Sequence, residues 1–254
     1  MPWRSEVDAI LWAGLPGQEG GHAVAAALLG DIEPAGRLVT SFPAADGASP
    51  AWEVVPTDGR LAYDEGVWVG YRGFAARRAP APAYWFGWGL GYGEWEYGDV
   101  TLLGSTLTVG LTNTSPRDSR EVVQVYLQPA EDDQPIRLVG WTTVDVAAGA
   151  ALDVQVDLDP RAMRTWADGA WRPLTTGRLL VARGLGDLRG EVDLPPDLTV
   201  TLVGRPVEDA VATSEAAGWQ VRALTPGTPM TMDYRRERLN IEHDDRVVLR
   251  VWPG

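Results

Sequence analysis

Two acidic residues, Asp64 and Glu65, stand next to each other in the sequence, and paired carboxylates can act as nucleophile and acid/base in glycosidic bond cleavage. Adjacent residues of an extended segment point to opposite faces, so these two carboxylates form a poor catalytic pair. The run Glu19-x-x-His22 lacks the first histidine of the H-E-x-x-H zinc motif. The absence of cysteine excludes a thiolate nucleophile and a cysteine-based metal site. The sequence therefore predicts no catalytic residue, no metal site and no cofactor.

A second set of charged residues lies near the carboxyl end, in the runs Thr231-Met232-Asp233-Tyr234-Arg235 and Arg238-Leu239-Asn240. An arginine–carboxylate pair forms a charge-assisted hydrogen bond, which can hold an exposed loop in one shape without a disulfide. A loop held in this way loses little entropy when it binds another protein. The alternative is a surface loop whose charges are only solvated, and the residues taken alone favour that alternative.

Residues 61–97 contain more tyrosine, tryptophan, phenylalanine and glycine than any other segment of the chain. Large rings joined by glycines favour an ordered, loop-rich structure over a regular helix or strand. Such a segment could stack on a sugar, join two domains or form core, and packing between domains is the commoner role. The candidate sugar or domain-contact residues are Tyr63, Glu65, Trp68, Tyr71, Arg72 and Trp88.

The composition narrows the classes of partner. The 254 residues carry a net charge of −13 and form no basic patch, which disfavours nucleic acid and anionic membrane surfaces as partners. The first residues lack the long apolar stretch of a signal peptide, and no segment approaches a membrane span. These features predict a cytoplasmic protein.

The amino-terminal residues predict a fragment of an α/β fold. Residues 8–13 are expected to form a short buried strand, residues 18–29 a helix that ends at Gly30, and residues 36–42 an extended segment. A parallel sheet needs several strands with helices on its faces, and these pieces supply one βα unit. We expect this segment to be weakly stable unless something else covers it.

Residues 99–194 contain short runs in which apolar and polar residues alternate between turns. The clearest apolar positions are Leu107, Val109 and Leu111, then Val123, Val125 and Leu127, then Leu152, Val154, Val156 and Leu158. Gln124 and Tyr126 take alternate positions of the second run. Further strands are predicted at 179–182 and 188–194. The pattern is typical of an antiparallel β-sandwich.

Pro195-Pro196 marks a natural boundary, because consecutive prolines deny hydrogen-bond donors to a sheet and stiffen a linker. Beyond it, residues 206–217 are predicted to form a helix that begins near Pro206 and ends at Gly218. A polar loop is expected over residues 225–236. Strands are predicted at 221–224, 239–242 and 247–251. One helix against three short strands is a small α+β domain.

The first resemblance to a known family rests on several runs in order: Tyr63-Asp64-Glu65-Gly66, Val69-Gly70-Tyr71-Arg72, Phe86-Gly87-Trp88-Gly89-Leu90-Gly91-Tyr92 and, upstream, Pro34-Ala35-Gly36-Arg37-Leu38. They resemble the end of the flavodoxin-like α/β domain of glycoside hydrolase family 3, the family of many β-glucosidases. In that family the nucleophile lies on an amino-terminal barrel, and the acid/base precedes the segment matched here. The resemblance implies that the chain is inactive alone. The missing barrel would either be supplied by another chain or have been lost by truncation.

The sandwich region carries a related resemblance. The runs Gly110-Leu111-Thr112-Asn113-Thr114 and Glu121-Val122-Val123-Gln124-Val125-Tyr126 are similar to the opening strands of the fibronectin type III-like domain that follows in many family 3 glycosidases. The resemblance implies a structural role.

The carboxyl-terminal residues resemble serine protease inhibitors of the potato inhibitor I type. The resemblance implies that Thr231, Met232, Asp233 and Tyr234 enter the cleft of a chymotrypsin- or subtilisin-like protease. Met232 would fill the primary specificity pocket, and Met232–Asp233 would be the scissile bond. Thr231 and Asp233 would accept hydrogen bonds from Arg235 and Arg238. Asn240 occupies a position where potato and barley-type members place a second arginine.

The sequence thus predicts three parts: an incomplete α/β (flavodoxin-like) segment over residues 1–98, a fibronectin type III-like sandwich over 99–194, and an inhibitor-like α+β domain over 195–254. The leading hypothesis is the non-catalytic, carboxy-terminal portion of a β-glucosidase-like protein, with a family 3 barrel chain as its partner. A serine protease inhibitor is the second hypothesis, and a carbohydrate-binding module built on the aromatic cluster is the third.

Overall fold

The computed structural model describes residues 2–52, 54–194, 202–231, 233–235 and 237–254. The predicted boundary at Pro195-Pro196 and the predicted reactive residue Met232 lie outside the described residues. The fold is mixed, as predicted, with few helices, a β-sandwich and a small α+β domain. The strands are β1 (Trp95–Leu103), β2 (Thr106–Asn113), β3 (Ser119–Pro129), β4 (Arg137–Val146), β5 (Ala151–Asp157), β6 (Arg164–Ala167), β7 (Ala170–Pro173), β8 (Gly177–Gly184), β9 (Asp187–Asp193), β10 (Gln220–Leu224), β11 (Arg238–His243) and β12 (Val248–Pro253).

The α-helices are short. They are α1 (Gly20–Leu29), α2 (Tyr71–Ala75) and α3 (Val207–Ala216), and a 3-10 turn spans Pro2–Ser5. Helix α1 begins two residues later than predicted and ends as predicted, because Gly30 adopts a left-handed conformation with φ 81° that closes the last turn. None of the helices within the described ranges is long and apolar enough to cross a membrane.

The prediction of a buried strand over residues 8–13 is wrong. These residues form no regular element, and Leu11 and Trp12 expose 42% and 60% of their surface. A buried strand requires neighbouring strands for its backbone groups and a covering layer for its side chains. The segment meets neither requirement within the described part of the chain, so its apolar run stays at the surface.

The extended segment over residues 36–42 is present and runs antiparallel to the aromatic stretch. The Leu38 amide donates to the Trp88 carbonyl at 2.9 Å, and the Gly87 amide donates back to Leu38 at 2.8 Å. Phe42 forms an isolated bridge with Tyr84. The amino-terminal segment therefore receives its backbone partners from residues 84–88 rather than from a parallel sheet.

The sandwich consists of two antiparallel sheets with strand orders β1-β2-β5 and β4-β3-β8-β9. The predicted alternation is confirmed in β2, where Leu107, Val109 and Leu111 are buried between the sheets. Strand β1 begins at Trp95, so the carboxyl end of the aromatic stretch, residues 61–97, is already part of this core. Leu152, by contrast, is 37% exposed near the start of β5.

The outer face of β3 is buried as well. Tyr126, on that face, is fully buried against Tyr71 and Phe86, whose rings stack with centroids 4.6 Å apart. Gln124 is 3% exposed and donates to the carbonyls of Gly87 at 2.9 Å and Arg183 at 2.7 Å. The aromatic stretch covers this face, so both faces of β3 carry side chains that water does not reach.

Gly87 lies where the aromatic stretch comes closest to the sandwich. Its φ is 78°, and a Cβ there would lie 2.2 Å from the Gln124 side-chain oxygen and 2.6 Å from the Tyr126 hydroxyl. A side chain at this position would therefore separate the two layers. Glycine permits both the backbone conformation and the close approach.

Strands β6 and β7 form a hairpin that the sequence patterns did not indicate. Asp168 and Gly169 turn the chain with positive φ, and Trp166 and Trp171 meet edge to face across the ladder at 5.5 Å. Both rings are more than half exposed. The hairpin lacks a buried apolar face, so the period-2 signal that marked the other strands was absent.

The carboxyl-terminal domain has the predicted helix and strands. Strand β11 lies in the centre, parallel to β10 and antiparallel to β12. Leu239 and Ile241 of β11 are buried against Ala210 of α3 and Leu202 in the turn before it. This core is small, with six buried apolar side chains among the described residues.

The amino-terminal segment and the sandwich meet around one buried carboxylate. Glu121 of β3 is fully buried, and its Oε1 lies 2.5 Å from Arg37 Nη2. Its Oε2 lies 3.0 Å from Arg183 Nε of β8, without the alignment of a hydrogen bond. Both arginine side chains are about nine-tenths buried. Burial, and then the charge of Glu121, raises the pKa of the nearby Tyr97 hydroxyl.

We predict that Glu121→Ala lowers the free energy of unfolding by about 3–5 kcal/mol, because it leaves two buried guanidinium groups without their carboxylate. Urea unfolding followed by tryptophan fluorescence measures the effect. The control is Glu191→Ala, whose carboxylate pairs with Arg178 at 3.0 Å with both side chains about half exposed, and which should cost ~0–1 kcal/mol. Equal losses in the two variants would contradict the role assigned to Glu121.

Candidate functional site

The adjacent acids Asp64 and Glu65 lie in a succession of turns. The Gly66 amide donates to the Tyr63 carbonyl at 3.1 Å, and the Trp68 amide donates to the Glu65 carbonyl at 3.0 Å. Asp64 is exposed and Glu65 is half-buried. Neither lines the shallow depression of about 420 Å³ on the outer face of β1, β2 and β5. Asp64 and Glu65 are therefore part of these turns and do not line that depression.

Some of the aromatic candidates lie in the seam, which is the contact between residues 61–97 and the sandwich, and others lie at the surface. Tyr71 belongs to the seam, since its hydroxyl accepts a hydrogen bond from the Leu138 amide of β4 at 3.1 Å. Arg72 lies over the Tyr71 ring at 5.9 Å. Trp68 is half-buried beneath the Arg78 guanidinium at 4.4 Å, and Tyr63 is 75% exposed. Trp88 is half-buried and holds Leu38 through its backbone carbonyl. Tyr71, Trp68 and Trp88 therefore make packing or backbone contacts within the chain, whereas Tyr63 stays exposed.

The residues that join α1 to the sandwich were not singled out from the sequence. Glu33 accepts a hydrogen bond from the Tyr92 amide at 2.8 Å, and the Tyr92 hydroxyl donates to the Ala27 carbonyl at 2.5 Å. Arg117 donates to the Gly30 carbonyl at 2.9 Å and lies over the Tyr92 ring. These contacts hold one side of the amino-terminal segment and leave its other apolar side chains free.

Large apolar side chains are exposed in unusual number over residues 7–69. This set, which we call the exposed apolar residues, comprises Val7, Leu11, Trp12, Leu15, Leu28, Leu29, Ile32, Val39, Trp52, Val54, Val55, Leu61, Tyr63, Val67 and Val69. Leu15, Leu29 and Val39 expose 78% or more of their surface. Soluble monomers rarely leave so many apolar groups in one region open to water, and such surfaces mark contact sites.

The loop between β10 and β11 is braced by charged hydrogen bonds. We call residues 228–231 and 233–235 the reactive loop, after the role that the resemblance to potato inhibitor I implies for them. The Asp233 carboxylate accepts hydrogen bonds from Arg235 Nε at 3.2 Å and from Arg238 Nη1 at 3.1 Å. Arg238 also donates to the Asp233 carbonyl oxygen. Arg238 is 8% exposed, so the domain core fixes this guanidinium and the guanidinium in turn fixes Asp233.

The expectation for Thr231 requires a correction. Its hydroxyl donates to the Asp233 carboxylate and accepts a hydrogen bond from Arg222 Nη1 at 3.4 Å, rather than from Arg235 or Arg238. Arg222 lies on β10, beside the loop, whereas Arg238 is occupied by Asp233. The Thr231 hydroxyl and then the Arg238 guanidinium hold the pKa of the Asp233 carboxyl well below its usual range.

Tyr234 is 70% exposed and Met230 is 46% exposed, so the described side chains of the reactive loop on either side of residue 232 face solvent. Asn240 is almost fully buried beneath the loop, where its amide donates to the Trp252 carbonyl of β12 at 3.3 Å. Sequence reasoning missed Arg222. The register of the β10–β11 ladder could have revealed it, because that register places Arg222 directly opposite Asn240.

No group of three or more histidine, aspartate or glutamate side chains is placed to hold a metal ion among the described residues.

Comparison with known proteins identifies the parts of the chain. Residues 1–92 match the glycosyl hydrolase family 3 C-terminal domain, residues 121–179 match the fibronectin type III-like domain, and residues 198–249 match the peptidase inhibitor I78 family. The last match falls on the region whose sequence resembles potato inhibitor I.

Several proteins are similar to the first two parts. A β-glucosidase of Rhizobium radiobacter is 34% identical over 218 residues, which are 76% of this chain and 26% of the relative. An exo-α-(1→6)-L-arabinopyranosidase of Bifidobacterium longum is 35% identical over 66% of this chain and 23% of its own length. The crystal structure of DesR, a β-glucosidase from Streptomyces venezuelae, aligns with a TM-score of 0.73 at 35% identity, covering 77% of this chain and 27% of that one.

Residues 1–92 are therefore similar to the C-terminal domain of family 3 glycosyl hydrolases, and residues 121–179 to the fibronectin type III-like domain. The chain spans about a quarter of the length of the curated relatives that it matches.

We predict that Thr231→Val raises the pKa of the Asp233 carboxyl toward its ordinary value, because it removes the hydrogen bond that most favours the ionised form. In the parent protein the Asp233 brace should persist as the pH falls through about 4, where a free aspartate titrates, and be lost only below that. Carboxyl NMR titration measures both. Thr228→Val, which removes a hydroxyl contact with Thr225 in the same loop, is the control and should leave the Asp233 titration unchanged.

Proposed function

We propose that this chain is the non-catalytic, carboxy-terminal portion of a β-glucosidase-like protein, and that it supports O-glycosyl hydrolysis only together with a barrel domain supplied elsewhere. The exposed apolar residues carry this proposal. They lie in the segment that matches the family 3 C-terminal domain, and the described part of the chain leaves them exposed. A catalytic partner that covered them would complete the fold.

The energetics favour a partner. Burying one leucine or valine side chain that is otherwise exposed stabilises a complex by about 1.5–3 kcal/mol. Leu15, Leu29 and Val39 alone would contribute several times that amount to an interface. The buried Glu121 cluster and the Glu33–Tyr92 contacts hold the segment in place beforehand, so less ordering is needed on binding.

The reaction that the partner would catalyse, hydrolysis of a glycoside, is proposed from the names of the similar proteins. The similar proteins are named as a β-glucosidase and an exo-α-(1→6)-L-arabinopyranosidase. Both names describe hydrolysis of glycosides, so we place the chain in carbohydrate metabolism. Asp64 and Glu65, exposed and half-buried in a succession of turns, are not assigned a catalytic role in that reaction.

A complementation experiment tests this function. The Rhizobium radiobacter β-glucosidase would be produced without the segment that matches this chain, and hydrolysis of p-nitrophenyl β-D-glucoside would be followed with and without the chain added. We expect neither component alone to hydrolyse the substrate and the mixture to do so. Leu28→Glu together with Leu29→Glu should reduce the mixture's activity at least tenfold, because two charges would enter the apolar contact.

Leu188→Glu is the matched control for that pair, since Leu188 is 52% exposed on β9 of the sandwich. It should leave the complementation intact. A mixture that stays inactive at micromolar concentrations of both components, or a chain that hydrolyses the substrate alone, would contradict the proposal.

We propose a second function for the carboxyl-terminal domain, the inhibition of a chymotrypsin- or subtilisin-like serine protease through the Met232–Asp233 bond. The supporting observation is the arginine brace on Asp233, formed by Arg235 and Arg238. A braced loop presents its backbone to a protease cleft with little entropy left to lose. The match of residues 198–249 to a peptidase inhibitor family supports the same function.

Titration of subtilisin and chymotrypsin with the chain tests the second function, with mass analysis of any cleavage product. We expect saturable inhibition and slow cleavage after Met232. Met232→Gly should weaken inhibition at least a hundredfold, because glycine cannot fill an apolar specificity pocket. Leu249→Gly, at an exposed position on β12, is the control and should preserve inhibition. Rapid digestion at scattered sites without loss of protease activity would exclude this function.

A further inference from the structure

Arg222 is placed to hold the reactive loop from the strand next to β11. It lies on β10, and the parallel ladder sets it opposite Asn240. Its Nε donates to the Asn240 side-chain oxygen at 2.7 Å, which fixes the guanidinium plane above the sheet. With Nε occupied in this way, its two terminal nitrogens point into the loop.

The two terminal nitrogens of Arg222 reach the loop ahead of residue 232. Nη1 donates to the Thr231 hydroxyl at 3.4 Å, and Nη2 lies 4.0 Å from the Met230 sulfur. Arg238 reaches the loop after residue 232, through the carboxylate and the carbonyl of Asp233. The two guanidinium groups come from adjacent strands and contact the loop before and after residue 232.

Thr231 links the two contacts. Its hydroxyl accepts from Arg222 and donates to the Asp233 carboxylate, so a continuous hydrogen-bonded path runs from Asn240 through Arg222 and Thr231 to Asp233 and Arg238. Hydrogen bonds that share members in this way reinforce one another, and the loss of one member weakens the rest. Arg235 adds to the path only at Asp233.

We propose that Arg222 is a positioning residue of the reactive loop, which holds Thr231 in place as Arg238 holds Asp233. The positioning role follows from the contacts of Arg222. Its effect on protease inhibition rests on the proposed inhibitory function. Without Arg222 the loop would be fixed on one side only. The free side would then have to be ordered by the protease at binding, which weakens affinity and speeds hydrolysis of the bound loop.

The inhibition test uses the full chain and subtilisin, with Arg222→Gln, Arg222→Lys, Thr231→Val and the Arg222→Gln/Thr231→Val double variant. We expect Arg222→Gln to weaken the inhibition constant about tenfold or more and to speed cleavage of the loop, as the loss of a charged hydrogen bond would. Arg222→Lys should restore little, because lysine cannot contact Asn240 and Thr231 together. The double variant should be no weaker than the weaker single variant.

Two results would overturn the proposal: inhibition unchanged in Arg222→Gln, or effects of Arg222→Gln and Thr231→Val that simply add. Arg205→Gln, at an exposed position in the turn before α3, is the matched control and should leave inhibition unchanged. Thermal unfolding of each variant separates loop positioning from loss of the domain fold. Thr231→Val keeps the contact between Arg222 and Asn240 and therefore probes the loop even if Arg222→Gln unfolds.

A second readout separates this inference from the inhibitory function itself. Backbone 15N relaxation gives order parameters for Met230 and Thr231 without any protease. Arg222→Gln should lower both order parameters and leave those of β11 unchanged. If the parent chain inhibits no protease but the order parameters fall, the inhibitory function fails and the positioning role of Arg222 stands. Unchanged order parameters would overturn the positioning role.

Discussion

The fully buried carboxylate of Glu121 is the interaction on which the joining of the two larger parts depends. It faces Arg37 from the amino-terminal segment and Arg183 from the sandwich, so its charge is compensated only when both are present. A buried ion pair adds little net stability compared with apolar packing, but it strongly penalises any arrangement that separates its members. Gln124 and Gly87 continue the contact through hydrogen bonds that need the same close approach.

The same chemistry is used differently in the carboxyl-terminal domain. There the carboxylate of Asp233 lies at the surface, and the nearly buried guanidinium of Arg238 holds it in place. The pair fixes the position of the loop, because the buried guanidinium of Arg238 holds a carboxylate that is itself 42% exposed. Arg222 lies opposite Asn240 in the ladder and reaches the loop from the strand next to β11.

Local patterns predicted most of the elements. Alternation identified β2, β3 and β5, and Pro206 and Gly218 bracketed α3, because each of these signals acts within a few residues. Three features depend on partners that are distant in the sequence and were not predictable in this way. Residues 8–13 form no strand because they have no neighbouring strands. The other two are the burial of Tyr126 against Tyr71 and the contact from Arg222 to Thr231. The β6–β7 hairpin was missed because it has no buried face. Motif resemblance identified the family and the inhibitor-like region, whereas the members of the loop brace needed the strand register.

Native-state amide hydrogen exchange tests the central claim, that Glu121 makes the amino-terminal segment and the sandwich one cooperative unit. Two informative amides join the amino-terminal segment to the aromatic stretch: that of Leu38, which donates to Trp88, and that of Gly87, which donates to Leu38. The other two are those of Val125 and Val181, which lie opposite each other in the sandwich sheet. We predict that all four exchange with similar protection in the parent chain, and that Glu121→Gln lowers the protection of Leu38 and Gly87 well before that of Val125 and Val181. Fast exchange at Leu38 and Gly87 in the parent chain, with the sandwich fully protected, would contradict the claim.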